Sequence, residues 1–284
     1  MTDTLKPEQI ASYRNAGYLF PLDLFGEASV EHILSEIEQA KIEAEAAGLG
    51  DSFADLKRSR AHMTMPFVCE IASNAKLLDT VASILGPNLM LWGADFFIKK
   101  AHSDKIVSWH QDLTYWGLGE TDNELTAWLA LSDITIESGC MRFVPGSHKQ
   151  VLQPHRDTFD DNNLLSRGQE ISVKVDENDA VDIVLKPGQL SFHHGRLFHA
   201  SGPNRSDQDR VGLALRYITP EVKQLVASRD YATMMRGVDR SQNWNHTAAP
   251  SRNFDPDDLK LRETVVSDMA ETLSAKTNQQ VKDS

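Results

Sequence analysis

The chain has 284 residues, of which 40% are hydrophobic and 25% charged, with a formal net charge of -12 and a pI near 5.3. That length suits one large β-rich domain or two small ones, and the acidic balance argues against non-specific binding to nucleic acid or an anionic membrane surface. No apolar run approaches the ~20 residues of a membrane helix. The polar start at Met1–Lys6 does not read as a signal peptide, and the two cysteines, Cys69 and Cys140, make no disulfide framework, so a cytoplasmic location with reduced thiols is expected.

Residues 7–16 predict a short helix opened by Pro7 and stopped by Gly17, with an extended segment starting at Tyr18. Residues 29–47 predict a longer helix with Val30, Ile33, Leu34, Ile37 and Ala44 on one stripe. The stretch from Gly50 to His62 is polar and carries Lys57-Arg58-Ser59-Arg60. A further helix from Pro66 to Leu85 is interrupted near Ser73-Asn74 and ended by Gly86-Pro87. From Asn88 the pattern changes to strands at 89–99, 106–110, 125–131, 141–144, 181–185, 189–192 and 211–218, separated by turn residues. Segment 155–180 reads as a long polar loop or lid, and the tail from about residue 265 as a helix that frays. Helices first and strands later predict a mainly β domain, an antiparallel sandwich or jelly roll buttressed by N-terminal helices. The expected organisation is one domain: an N-terminal helical region over residues 1–87, a barrel core of about 88–220 and a C-terminal cap or tail of about 221–284.

The pattern that carries chemistry is His110-x-Asp112, followed by His199 and then Arg210. On a strand, His110 and Asp112 would share one face. Two imidazoles and a carboxylate fill one face of a six-coordinate ferrous ion and leave three positions open. An arginine beyond the second histidine can fork onto a carboxylate. The spacing alone is also compatible with chance, since ten histidines are present, and with a hydrolytic zinc site, although no HExxH arrangement supplies the base that such a site needs. His193 and His194 read as wall residues on opposite strand faces and His148 as a turn residue. His102, His155 and His246 read as solvated.

Several blocks together resemble the phytanoyl-CoA dioxygenase family of Fe(II)/2-oxoglutarate oxygenases. They are Gln9–Leu19, Leu85-Gly86-Pro87-Asn88, Trp109–Leu113, Thr126–Leu131, Gly139–His148 and His199–Asn204 leading to Arg210. The resemblance implies a double-stranded β-helix, a cupin-like jelly roll. It implies iron held by His110, Asp112 and His199, with 2-oxoglutarate and O2 as co-substrates. Arg210, Ser201 and Trp128 would bind 2-oxoglutarate; a core aromatic is the other reading of Trp128, and Arg216, on the same strand as Arg210, reads either as a second holder of a carboxylate or as a structural ion pair. Halogenating relatives lack the carboxylate ligand, so Asp112 implies hydroxylation.

For the substrate, the positive charge of Arg58, Arg60 and Arg142, with His62, Lys57, Lys99 and Lys100, suggests a small anion; solvated loop charges are the plain alternative. Phe97, Trp109, Tyr115 and Trp116 suggest a wall for an ammonium group or simple barrel packing. Segment 234–240 with Trp244 reads either as a cap on the site or as cover for the barrel edge. The leading expectation is an amino-acid-like zwitterion such as 2-aminoethylphosphonate or an N-methylated relative. A compatible solute, a natural-product intermediate, a zinc hydrolase and a non-catalytic ligand-binding barrel remain as alternatives. No extended basic surface suits an acyl-CoA.

Overall fold

In the computed structural model, residues 4–158, 160, 162–165 and 168–280 are described, with residues 169 and 271–280 as backbone. Pro7 opens helix α1 (Pro7–Ala16), and Gly17, at φ 84°, ends it. Helix α2 (Glu27–Ala46) buries Val30, Ile33, Ile37, Ala40 and Ala44, the stripe read from the sequence. Helix α3 (Phe53–Arg58) forms where only a polar stretch was expected, because Phe53 and Leu56 are buried beneath it. The next helix divides at the expected place into α4 (Pro66–Ala72) and α5 (Ala75–Leu85), where the Asn74 side chain accepts from Leu77 N at 3.2 Å as an N-cap. Helix α6 (Leu113–Trp116) is a single turn, and α7 (Pro256–Gln280) runs through the tail.

The strands are β1 (Tyr18–Asp23), β2 (Leu89–Lys99), β3 (Val107–His110), β4 (Glu124–Ala130), β5 (Met141–Phe143), β6 (His155–Asp157), β7 (Gln169–Ile171), β8 (Val181–Ile183), β9 (Gln189–His193), β10 (His199–Ser201), β11 (Arg210–Ile218), β12 (Tyr231–Arg236) and β13 (Asn245–His246). A seven-stranded sheet in the order β1-β9-β4-β11-β2-β12-β13 packs against a four-stranded sheet β3-β10-β5-β8, which is a jelly-roll architecture. The first half of segment 155–180 is a small β6–β7 hairpin rather than a bare loop; residues 159, 161, 166 and 167 of that stretch lie outside the described residues. Segment 234–246 extends the large sheet through β12 and packs Trp244 with its Nε1 donating to Val222 O at 2.9 Å, so it covers the sheet edge.

Strand alternation decides what meets the helices and what faces inward. On β11, Leu213, Leu215 and Tyr217 join the core formed with α2, α4 and α5. Arg210, Ala214 and Arg216, on the other parity, line an internal cavity. The same parity on β2 presents Asp95 and Phe97, and on β4 Thr126 and Trp128. Among the described residues, no helix is long and apolar enough to cross a membrane.

Candidate metal centre and cavity

β10 pairs with β3 so that His199 lies opposite His110, with ring centroids 4.0 Å apart. Asp112 is not on the strand, as the two-residue spacing had suggested. It sits in a right-handed helical turn (φ -57°, ψ -46°) that opens α6, and this turn swings its carboxylate back toward His110. Asp112 Oδ1 lies 3.2 Å from His110 Nε2 and 3.8 Å from His199 Nε2, and the three donor atoms fall within 4.8 Å of one another. Each Nδ1 faces a backbone carbonyl two residues back: His110 to Ser108 O at 2.8 Å and His199 to Leu197 O at 2.9 Å. With the Nδ1 atoms donating there, both Nε2 lone pairs point at a carboxylate, an arrangement of acceptors that a cation satisfies. Burial and the nearby His110 hold the His199 pKa well below the usual histidine range, which keeps its Nε2 free for a metal. The donor set fits a ferrous facial triad.

The turn between the ligands is pinned on three sides. Gln111, fully buried, donates its backbone N to His155 Nε2 at 3.0 Å and its side-chain amide to Arg196 O at 2.9 Å, and accepts from Gln153 N at 2.8 Å. His155 is therefore not solvated, as its polar surroundings in sequence had suggested. It is buried, stands edge-on to Tyr115, and burial lowers its pKa to about 4. His193 faces the cavity with Nε2 3.9 Å from Asp112 Oδ2, whereas His194 points the opposite way, between Asp122 and Glu124 at 3.1 Å each, as their adjacency implied. Burial pushes the Glu124 carboxyl up to about 8 while its Oε1 accepts from Gly195 N at 2.7 Å.

The triad opens into a cavity of about 370 Å³. At its inner end stand Arg210, Ser201 and Trp128, the three residues that the resemblance assigns to 2-oxoglutarate. The Arg210 guanidinium is 1% exposed, stacks 5.4 Å from the Trp128 ring and donates to Gly139 O at 2.8 Å. Burial lowers its pKa to about 10, so it stays charged, and no described carboxylate pairs with it. A buried, unpaired cation at a cavity wall fits an incoming carboxylate. Lys99, read from the sequence as one of several charges suited to an anion or else as solvated, lies opposite Arg210 in register and is buried; its Nζ donates to Ser201 Oγ at 2.7 Å and to Gly202 O. Burial, then the Arg210 charge, push its pKa down to about 6. The available signal was parity: Asp95, Phe97 and Lys99 alternate onto one face of β2. Gly212 has a steric duty here, because a Cβ on it would lie 2.0 Å from Trp128 Cζ2.

Arg58 and Trp116 line the cavity at its outer end, and Phe97 lines it from β2, opposite Gly212. Three other expected residues do not. Arg60 is buried in a left-handed turn (φ 56°), where its guanidinium stacks on Trp92, donates to Trp92 O and pairs with Asp230 at 3.6 Å. His62 is 1% exposed, and burial followed by the Arg60 charge lowers its pKa to about 3, so it is a neutral packing residue. Arg142 points away from the cavity to Glu177 at 2.6 Å and Asp182 at 3.4 Å, over the ring of Trp109. Lys100 pairs with Asp209 at the surface. Arg216 faces the cavity and forms an ion pair with Asp95, the structural reading weighed for it. Sequence reasoning missed the wall made by Val266, Met269 and Ala270 of α7 and by Leu164 and Leu165, which no local motif marks.

A family model described as phytanoyl-CoA dioxygenase (PhyH) matches residues 13–212. A probable alpha-ketoglutarate-dependent hypophosphite dioxygenase of Stutzerimonas stutzeri is 26% identical over 79% of this chain and 82% of its own length. A probable phytanoyl-CoA dioxygenase of Caenorhabditis elegans is 28% identical, and the match spans 57% of this chain and about half (54%) of that protein. Among solved structures, the apo form of the non-heme monooxygenase ThoJ superposes with a TM-score of 0.84 at 33% identity, covering 95% of this chain and 99% of that one. CytC3 with Fe(II) and alpha-ketoglutarate shares the fold at a TM-score of 0.67 and 22% identity, covering 90% and 97%. With the family model covering most of the barrel and the ligand triad assembled inside it, the chain belongs to the phytanoyl-CoA dioxygenase family of Fe(II)/2-oxoglutarate-dependent oxygenases.

Proposed function

We propose that this oxygenase hydroxylates an unactivated C–H bond of a small polar metabolite, with an amino-acid-like zwitterion such as 2-aminoethylphosphonate or an N-methylated relative as the leading substrate. The observation that carries the reading is the size and lining of the cavity. At about 370 Å³ it lies at the small end of ligand sites, and 2-oxoglutarate shares it with the substrate. Little room remains for a long acyl chain. The relative named for hypophosphite supports a small phosphorus-containing anion. Arg58 suits the acid group, and Phe97, Tyr115 and Trp116 suit an ammonium.

In this reading His110, Asp112 and His199 hold the iron. Arg210 and Ser201, backed by Lys99 and Trp128, hold the distal carboxylate of 2-oxoglutarate. The iron, once bound with 2-oxoglutarate and O2, supplies the oxidising power for C–H cleavage. The protein orients the substrate and keeps water from the reacting atoms. Because Asp112 occupies a ligand position, the outcome assigned is hydroxylation and not halogenation. A zinc hydrolase does not need a buried, carboxylate-free Arg210 beside the triad, and a non-catalytic barrel would hold a carboxylate there without consuming it.

The test begins with anaerobic binding of Fe(II) and 2-oxoglutarate, read as a visible charge-transfer band that His199→Ala abolishes. Aminophosphonates, betaines, other compatible solutes and amino acids are then screened for oxygen-dependent succinate release. Stimulation by an aminophosphonate is the expected result. Tight zinc binding with no band would sink the oxygenase reading, and stimulation only by betaines or other solutes would replace the leading substrate.

A further inference from the structure

The outer half of the cavity is built from two helices far apart in sequence. Arg58 comes from α3, while Val266, Met269 and Ala270 come from α7. Arg262, one turn before Val266, is buried and fastens the two helices. Its Nε donates to Ser59 O at 2.9 Å, and its Nη2 donates to Asp55 O and Asp55 Oδ2 at 2.9 Å each. Positions 262, 266 and 269 share one helix face, so the fastening and the cavity wall belong to the same surface. Met269 also packs against the cluster containing Trp92 and Trp116. All of α7 lies beyond residue 212, where the family match ends. The wall farthest from the shared sequence is thus apolar.

The charges at this end leave one cation over. Asp55 takes Arg262, Asp95 takes Arg216 and Asp230 takes Arg60. Arg58 lines the cavity, and its guanidinium has no hydrogen bond or ion pair with a described residue. A guanidinium so placed matches one carboxylate or phosphonate.

We infer that the substrate pairs an acid group with Arg58 and lays an aliphatic stretch under Val266 and Met269, and that Met269 sets the length of that stretch. This rests on the oxygenase reading and sharpens its substrate class to a small acid with an aliphatic body. Arg58 and Met269 are specificity residues here, and α7 is the exchangeable wall.

The experiment is calorimetric titration of the whole protein, anaerobic and saturated with Fe(II) and 2-oxoglutarate, using straight-chain monocarboxylates from acetate to octanoate. In the wild type, affinity should rise roughly fourfold per added methylene to an optimum and then fall. Met269→Ala should move the optimum to a longer acid, and Met269→Leu should leave it near the wild-type length. Arg58→Ala should weaken every member about tenfold without moving the optimum. An unchanged optimum in Met269→Ala, full affinity in Arg58→Ala, or no binding of any acid to the iron-loaded wild type would each overturn the inference while leaving the oxygenase reading intact. Failure of Fe(II) and 2-oxoglutarate to bind at all would defeat that reading, and this inference with it.

Discussion

At its inner end the cavity is walled by strand residues held in a hydrogen-bonded ladder: Arg210 is in register with Lys99, which stands behind Ser201, and His199 faces His110. At its outer end the wall is made of helix side chains joined by one arginine, Arg262. The inner groups are almost wholly buried, whereas Arg58 and Ala270 are exposed. The inner end also lies within the segment the family model matches, and α7 lies outside it. A ladder tolerates little displacement, so it suits atoms that must be placed for chemistry. A helix packed by side chains can be exchanged or repacked without disturbing that placement.

Substitutions separate the two ends by size of effect. Asp112→Ala should lower Fe(II) affinity and succinate release by more than about a hundredfold, because loss of even an outer partner of a ligand costs ~10–100-fold; near-normal turnover would dismiss the triad. Arg210→Ala should raise the KM for 2-oxoglutarate by roughly a hundredfold or more, the cost of removing one partner of a buried charge pair. Iron binding in that variant, measured by titration, should be little changed. Lys99 gives a milder, pH-dependent signature. Its pKa of about 6 leaves it mostly uncharged at neutral pH in the empty site, and an arriving carboxylate raises that pKa. Binding then takes up a proton, so 2-oxoglutarate affinity should weaken as pH rises above about 6, by at most about tenfold per pH unit. Lys99→Met should flatten that slope, and a profile identical to wild type would remove Lys99 from the carboxylate site. Arg262→Ala is the smallest of these. It should cost about 1–3 kcal/mol of stability, seen as a lower Tm, with metal and 2-oxoglutarate binding preserved. Loss of iron binding in this variant would erase the distinction between the two ends.

His110, His199 and Arg210 were legible in the sequence because they sit in short, dense motifs at strand ends, and Asp112 because it lies only two residues past His110, although it falls in the turn after β3. Arg60, His62 and Arg142 were misread because sequence shows charge but neither burial nor direction. The left-handed turn at Arg60 sends its guanidinium onto Trp92, and β5 turns Arg142 outward to Glu177. His155 was hidden by polar neighbours, since its partner Gln111 is 44 residues away along the chain and is met only after folding. The α7 wall was illegible because its low amphipathicity gives no stripe to read, and its inward face exists only once α3 supplies the partner for Arg262.

Gly212 gives the barrel a latent shut-off position. The Trp128 indole lies directly across its Cα, where a single methyl group would collide with the ring. The strand behind cannot yield, so the indole would swing into the open chamber beside Arg210. Gly212→Ala should therefore give a protein that still loads iron but excludes its co-substrate, with every ligand and all three cavity arginines in place: an enzyme blocked by its own side chain.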